Sequence, residues 1–119
     1  RQECNMIVVD FHAEATSEKL ALANYLDGRV SVVFGTHTHV QTADEQILPG
    51  GTGYLTDLGM TGAIHSVLGM DTSVAIDRFV TKVNRRYVEA KGDAELRGAL
   101  FTLDPASGKT ISVERIVRR

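Results

Sequence analysis

The 119-residue chain has a single cysteine, Cys4. One thiol cannot build an internal disulfide framework, and such sparse usage fits a reducing, cytoplasmic setting. Without a partner, Cys4 is expected to be buried and inert. An excess of either charge is lacking too: thirteen Lys and Arg against fifteen Asp and Glu leave a formal net charge of -2. That balance argues against an electrostatic binder of duplex nucleic acid, which shows a basic excess or stripe. Apolar runs such as Val32-Val33-Phe34 fall far short of the roughly 18 residues that span a bilayer, so no membrane segment is expected. The chain also opens without Met, on Arg1-Gln2-Glu3-Cys4, and enters a strand-like run within a few residues, as though joined in progress.

What is present is ordinary globular material. The composition is 43% hydrophobic and 24% charged, which excludes wholesale disorder, and the length alone suggests one compact domain. Asn5 to Phe11 is β-branched and apolar, the pattern of a strand buried on both faces. Thr16 or Ser17 is expected to cap a helix running to about Tyr25-Leu26, and Asp27-Gly28 supplies its stop. Val30 to Phe34 is a second buried strand, so the opening third reads as a βαβ unit with two parallel strands. Gln46-Ile47-Leu48 and Tyr54-Leu55-Thr56 flank Pro49 to Gly53 and predict a hairpin with a Gly-rich turn; that turn lacks the spacing and Lys of a phosphate-binding loop. A loop follows from Gly59 to about Thr72. Ile76, Phe79, Val80 and Val83 then form a helical face with Ser73 as its cap. Two closing strands, Leu96 to Leu103 and Ile111 to Val117, meet at the turn Asp104 to Lys109. The sum is mixed α/β.

Three of the four histidines cluster by topology. His12 follows the first strand, and His37 and His39 follow the second, so all three emerge at the carboxyl edge of one sheet, where ligand sites form in open α/β folds. In an extended segment the alternate residues His37 and His39 point the same way. Imidazole ligates first-row transition metals, and the neighbouring carboxylates Asp10 and Glu14 are candidates to orient it. Asp57, between Thr56 and the Gly59 loop, is a further candidate to support the ligands from behind or to face substrate, or else a turn-initiating Asp. Asp10-Phe11-His12 has the form of a D-x-H motif that opens a binuclear phosphoesterase site, but no G-D or G-N-H segment follows, so Asp10 is rejected as a first-motif ligand. His65 lacks such company and reads as a loop residue. On residues alone two readings stand: a mononuclear site of His12, His37 and His39 with one open position, or a non-catalytic α/β interaction module.

The segments Val9 to Lys19, Tyr25 to Ser31 and Gly35-Thr36-His37-Thr38-His39-Val40-Gln41-Thr42-Ala43-Asp44-Glu45 resemble the YmdB-like family of bacterial metallophosphoesterases. The match continues through Ile47 to Thr52, Thr56 to Gly62 and Ser66 to Met70. The resemblance implies the carboxyl-terminal half of a four-layer α-β-β-α calcineurin-like sandwich, with two transition-metal ions at the strand ends: iron or manganese, with zinc as the alternative. It implies hydrolysis of small phosphodiesters, cyclic nucleotides among them. By motif position His12 and His37 serve one ion and His39 the other. The family's first Asp, bridging acidic residue, Asn ligand and adjacent His, its expected general acid, belong to an amino-terminal half whose motifs do not occur in this sequence. Residues 1–119 are therefore expected to be the carboxyl-terminal part of a single domain and to be inactive alone, and apolar surface left by the missing half is expected to favour association into a homo-oligomer.

Overall fold

A computed structural model describes residues 3–119. The elements in chain order are β1 (Val8–His12), α1 (Thr16–Leu26), β2 (Val32–Thr36), β3 (Gln46–Ile47), β4 (Gly53–Leu55), β5 (Gly62–Ala63), α2 (Thr72–Thr81), β6 (Ala94–Leu103) and β7 (Thr110–Arg118). They form two sheets, β1-β2-β4-β3 and β5-β6-β7. The expected βαβ unit is present: β1 and β2 run parallel, with Val8 opposite Val32 and His12 opposite Thr36. The Gln46–Leu55 hairpin is present too, antiparallel between β3 and β4, while β4 also joins β2 in parallel.

The core of the first sheet is Ala23, Val30, Val33, Leu48 and Tyr54, with Ile7, Val9, Leu20 and Leu26 packed on it. β2 is the buried strand the sequence predicts, with Val32 and Val33 each 1% exposed. β1 is not buried on both faces. It lies at the sheet edge, its residues alternate between exposed and half-buried, and Val8 is 56% exposed. A β-branched run reads alike in an edge and a central strand, because the run does not specify how many neighbours it has.

Both helix caps differ from expectation. Ala15 occupies the N-cap of α1 without a side-chain bond, and its carbonyl accepts from the Glu18 and Lys19 amides. Asp71, not Ser73, caps α2: its carboxylate accepts from the amides of Ser73 and Val74, a stronger acceptor than a hydroxyl. The apolar stripe of α2 faces outward, with Phe79 81% and Val80 76% exposed, and Val83 lies beyond a left-handed cap at Lys82. The Gly59–Thr72 loop contains the short strand β5, which pairs with β6.

The two sheets are joined by polar contacts at β4 and β7. Thr110 Oγ1 accepts from the Gly53 amide at 3.1 Å and donates to the Ser31 carbonyl at 2.7 Å. Gln41 Nε2 donates to the Gly98 carbonyl at 2.8 Å. The long β6–β7 hairpin makes the chain 54 × 29 × 24 Å, with a radius of gyration of 17.2 Å, larger than the roughly 13–14 Å of a compact domain this long. The compact shape suggested by length is thus not observed. No helix among the described residues is long and apolar enough to cross a membrane.

Candidate metal centre

Parallel register builds the site. His12 lies opposite Thr36, and Asp10, two residues earlier on β1, shares the face of His12. Thr36 Oγ1 donates its one proton to Asp10 Oδ1 at 2.8 Å and lies 3.0 Å from His12 Nδ1. With that proton committed, Thr36 can only accept from His12, which places the imidazole proton on Nδ1 and the lone pair on Nε2.

His37, one residue beyond β2, meets that lone pair. Its Nδ1 is 3.0 Å from His12 Nε2, and the rings stand edge to face with centroids 4.8 Å apart. Its other nitrogen, Nε2, is 2.9 Å from Glu14 Oε2. An ionised carboxylate only accepts, so Nε2 carries a proton. Each ring is therefore oriented by a protein acceptor on one nitrogen, Thr36 for His12 and Glu14 for His37, and the two remaining nitrogens converge. Metal-ligating histidines are held in this way, the non-ligating N–H donated to a carboxylate or another oxygen. The spacing also fits: two imidazole nitrogens about 2.1 Å from one ion and near a right angle are about 3 Å apart.

His39 does not join them. The 37–39 segment is not extended: His37 has φ 110° and His39 φ 65°. Two left-handed residues around Thr38 turn the chain, so the alternation that would aim both imidazoles one way is lost. His39 borders an apolar groove of about 520 Å³ formed with Val67, Leu68, Met70, Phe79 and Tyr87. Among the described residues no three His, Cys, Asp or Glu side chains converge on one point. The mononuclear three-His arrangement therefore has no geometric basis here.

Of the places the sequence allows Asp57, the substrate side is not the one it takes. It is fully buried, and its carboxylate is consumed: Oδ2 takes Lys19 Nζ at 3.0 Å and the Thr38 amide at 3.0 Å, and Oδ1 takes the Gly59 amide at 2.9 Å. Burial pushes this carboxyl up, but the Gly59 amide, Lys19 and Thr38 outweigh it and hold it below the ordinary Asp range. The Gly59 bond is the turn-initiating role that the sequence also allowed. Glu14 orients His37 and leaves His12 to Thr36, and Asp10 acts on His12 only through Thr36.

The motifs and spacing in the sequence single out neither Thr36 nor Lys19. A signal for Lys19 existed: it lies four residues before the buried Ala23 and seven before Leu26, on the inward stripe of α1. His65 is exposed in a bend, as expected of a loop residue. Cys4 is exposed, not buried, with Sγ donating to the Met6 carbonyl at 2.9 Å.

Comparison with known proteins bears on what such a site belongs to. A 2′,3′-cyclic-nucleotide 2′-phosphodiesterase of Bacillus subtilis (strain 168) is 54% identical over 111 residues, covering 93% of this chain and 42% of that protein. The crystal structure of a novel phosphatase from Mycoplasma pneumoniae superposes with TM-score 0.91 at 41% identity, covering 97% of this chain and 41% of that one. That of a hypothetical protein from Thermus thermophilus gives TM-score 0.90 at 43% identity, covering 96% of this chain and 44% of that one. The chain thus spans about two-fifths of the length of the curated relatives it matches. Its mixed α/β architecture is consistent with the carboxyl-terminal part of a calcineurin-like sandwich. Residues 1–116 match the family of YmdB-like proteins, and the chain belongs to that family.

Proposed function

We propose that this chain supplies three metal ligands to a phosphodiesterase that hydrolyses small phosphodiesters, with cyclic nucleotides as the substrate class. The observation that carries the reading is the facing pair His12 Nε2 and His37 Nδ1, each ring oriented from behind by Thr36 or Glu14. The name of the Bacillus subtilis relative supports the substrate class. His12 and His37 would hold one transition-metal ion and His39 a second, iron or manganese, with zinc as the alternative; the divergence of His39 from the pair supports dividing the three between two ions. Two ions in such a centre supply Lewis acidity and neutralise charge on a transferring phosphoryl group.

The chain's own residues prepare that centre. Thr36 and Glu14 fix which nitrogen of each imidazole is free, and Asp10 keeps the Thr36 hydroxyl turned as an acceptor toward His12. The role assigned to each of them is to orient an imidazole. The balanced charge supports a metal centre, instead of a basic surface, as what meets the phosphate. A cytoplasmic location is part of the reading.

The test is turnover of a 2′,3′-cyclic nucleotide by the full-length protein with added Mn²⁺. Hydrolysis that requires the metal and is lost in His37→Ala is expected; metal-independent hydrolysis, or full activity in that variant, contradicts the reading.

A further inference from the structure

The loop that carries His37 and His39 is tied to the fold by one buried carboxylate. Between the two histidines, both at positive φ, the Thr38 amide donates to Asp57 Oδ2 at 3.0 Å. Non-glycine residues hold such φ values only where the surroundings over-determine them. Asp57 also brackets the far end of the loop: its amide donates to Thr42 Oγ1 at 2.9 Å and its carbonyl accepts from the Thr42 amide at 3.1 Å. Behind Asp57 stands Lys19 of α1, with Nζ 3.0 Å from Oδ2 and both side chains 1% exposed. The Lys19 stem reaches it across Gly35, where a Cβ would stand 2.8 Å from Lys19 Cδ and 1.8 Å from the Thr56 carbonyl oxygen.

We infer that Lys19 and Asp57 are positioning residues of the metal centre, a buried clamp that sets the directions of His37 and His39 through the Thr38 backbone. A buried ion pair is weak as a source of stability, since desolvation offsets most of its attraction, so its place at the root of the histidine loop is better accounted for by geometry. The clamp locks the backbone between ligands assigned to two different ions, and so governs how the two are set relative to each other. This inference rests on the metal-centre reading above.

The test uses the full-length protein and two variants. Asp57→Asn removes the charge that draws Lys19. The double variant Lys19→Met/Asp57→Leu removes the clamp without stranding a buried charge. Thermal melting reports folding, a Mn²⁺ titration followed by electron paramagnetic resonance reports affinity, and the visible bands of the Co²⁺-loaded protein report ligand geometry. Folded variants should bind Mn²⁺ about 10–100-fold more weakly than wild type, with shifted Co²⁺ bands, a change that lost stability alone does not produce. If the double variant does not fold, Asp57→Asn decides. A folded variant with wild-type Mn²⁺ affinity and an unchanged Co²⁺ spectrum overturns the clamp and leaves the metal centre standing. A wild-type protein that binds no Mn²⁺ overturns the metal-centre reading and the clamp with it.

Discussion

His12 Nε2 and His37 Nδ1 face each other at 3.0 Å, while the opposite nitrogen of each ring is engaged by Thr36 or Glu14. One imidazole ends β1 and the other directly follows β2, so the relationship exists only because the two strands run parallel with His12 opposite Thr36. It makes the pair a directional donor set, and each partner in it has a separable effect.

Thr36 is the most economical probe. Thr36→Val keeps the β-branched shape but removes the acceptor that fixes His12, whereas Thr36→Ser keeps the hydroxyl. Metal affinity of the full-length protein, measured by titration calorimetry, should fall about 10–100-fold in the first and stay near wild type in the second. A loss in Thr36→Ser with none in Thr36→Val would mean that the methyl, not the hydroxyl, matters.

Gly35→Ala should be the costliest small change in the first sheet. The new Cβ would stand 1.8 Å from the Thr56 carbonyl oxygen and 2.9 Å from Lys19 Cε, so backbone must shift. Overpacking of this kind costs about 1–3 kcal/mol, and contact with backbone puts this site at the upper end. Denaturant unfolding checks it; a variant as stable as wild type would show that β2 moves freely past β4. By contrast Gly98→Ala, where a Cβ meets nothing within 4 Å, should leave that midpoint close to wild type.

Part of the acid sensitivity should come from two of the lowered carboxylates, Asp44 and Asp71, which lie outside the centre. Burial raises the Asp44 carboxyl, but bonds from the Thr42 hydroxyl and from the Thr56 hydroxyl and amide outweigh it and leave it lowered. The Asp71 carboxyl is lowered by the Ser73 hydroxyl and then by the Val74 amide. Because both sit below their unfolded value of about 3.9, the stability they add is complete above that pH and is lost as pH falls through the folded values. Melting temperature should be flat near neutrality with respect to these groups and drop below about pH 4, with a shallower drop in Asp44→Asn and Asp71→Asn. An acid limb unchanged in both variants would assign it to other groups.

Much of this could be read from the chain. The strand-helix-strand opening follows from β-branched runs and the Asp27-Gly28 stop, and parallel strands put His12 and His37 on one edge. The sequence does not encode register in any single residue, so the role of Thr36 emerges only once it is seen opposite His12. Lys19 reads as a solvated helix residue because a lone lysine is costly to bury; Asp57, thirty-eight positions away, is what makes burial tolerable. The divergence of His39 depends on positive φ at two residues that are not glycine, a conformation that residue type does not announce. The outward stripe of α2 shows the converse: periodicity identified the helix but not what, if anything, covers it.

The most direct test is the metal content of the full-length protein and its histidine variants, measured by inductively coupled plasma mass spectrometry after loading with Mn²⁺ and desalting. The account predicts two ions per chain in wild type and loss of an ion in His12→Ala and in His37→Ala. The His12→Ala/His37→Ala double variant should lose no more than either single change, because the two rings share one ion, and His39→Ala should affect the other ion. A wild-type content of one or none, or single variants that all retain the wild-type content, would contradict it.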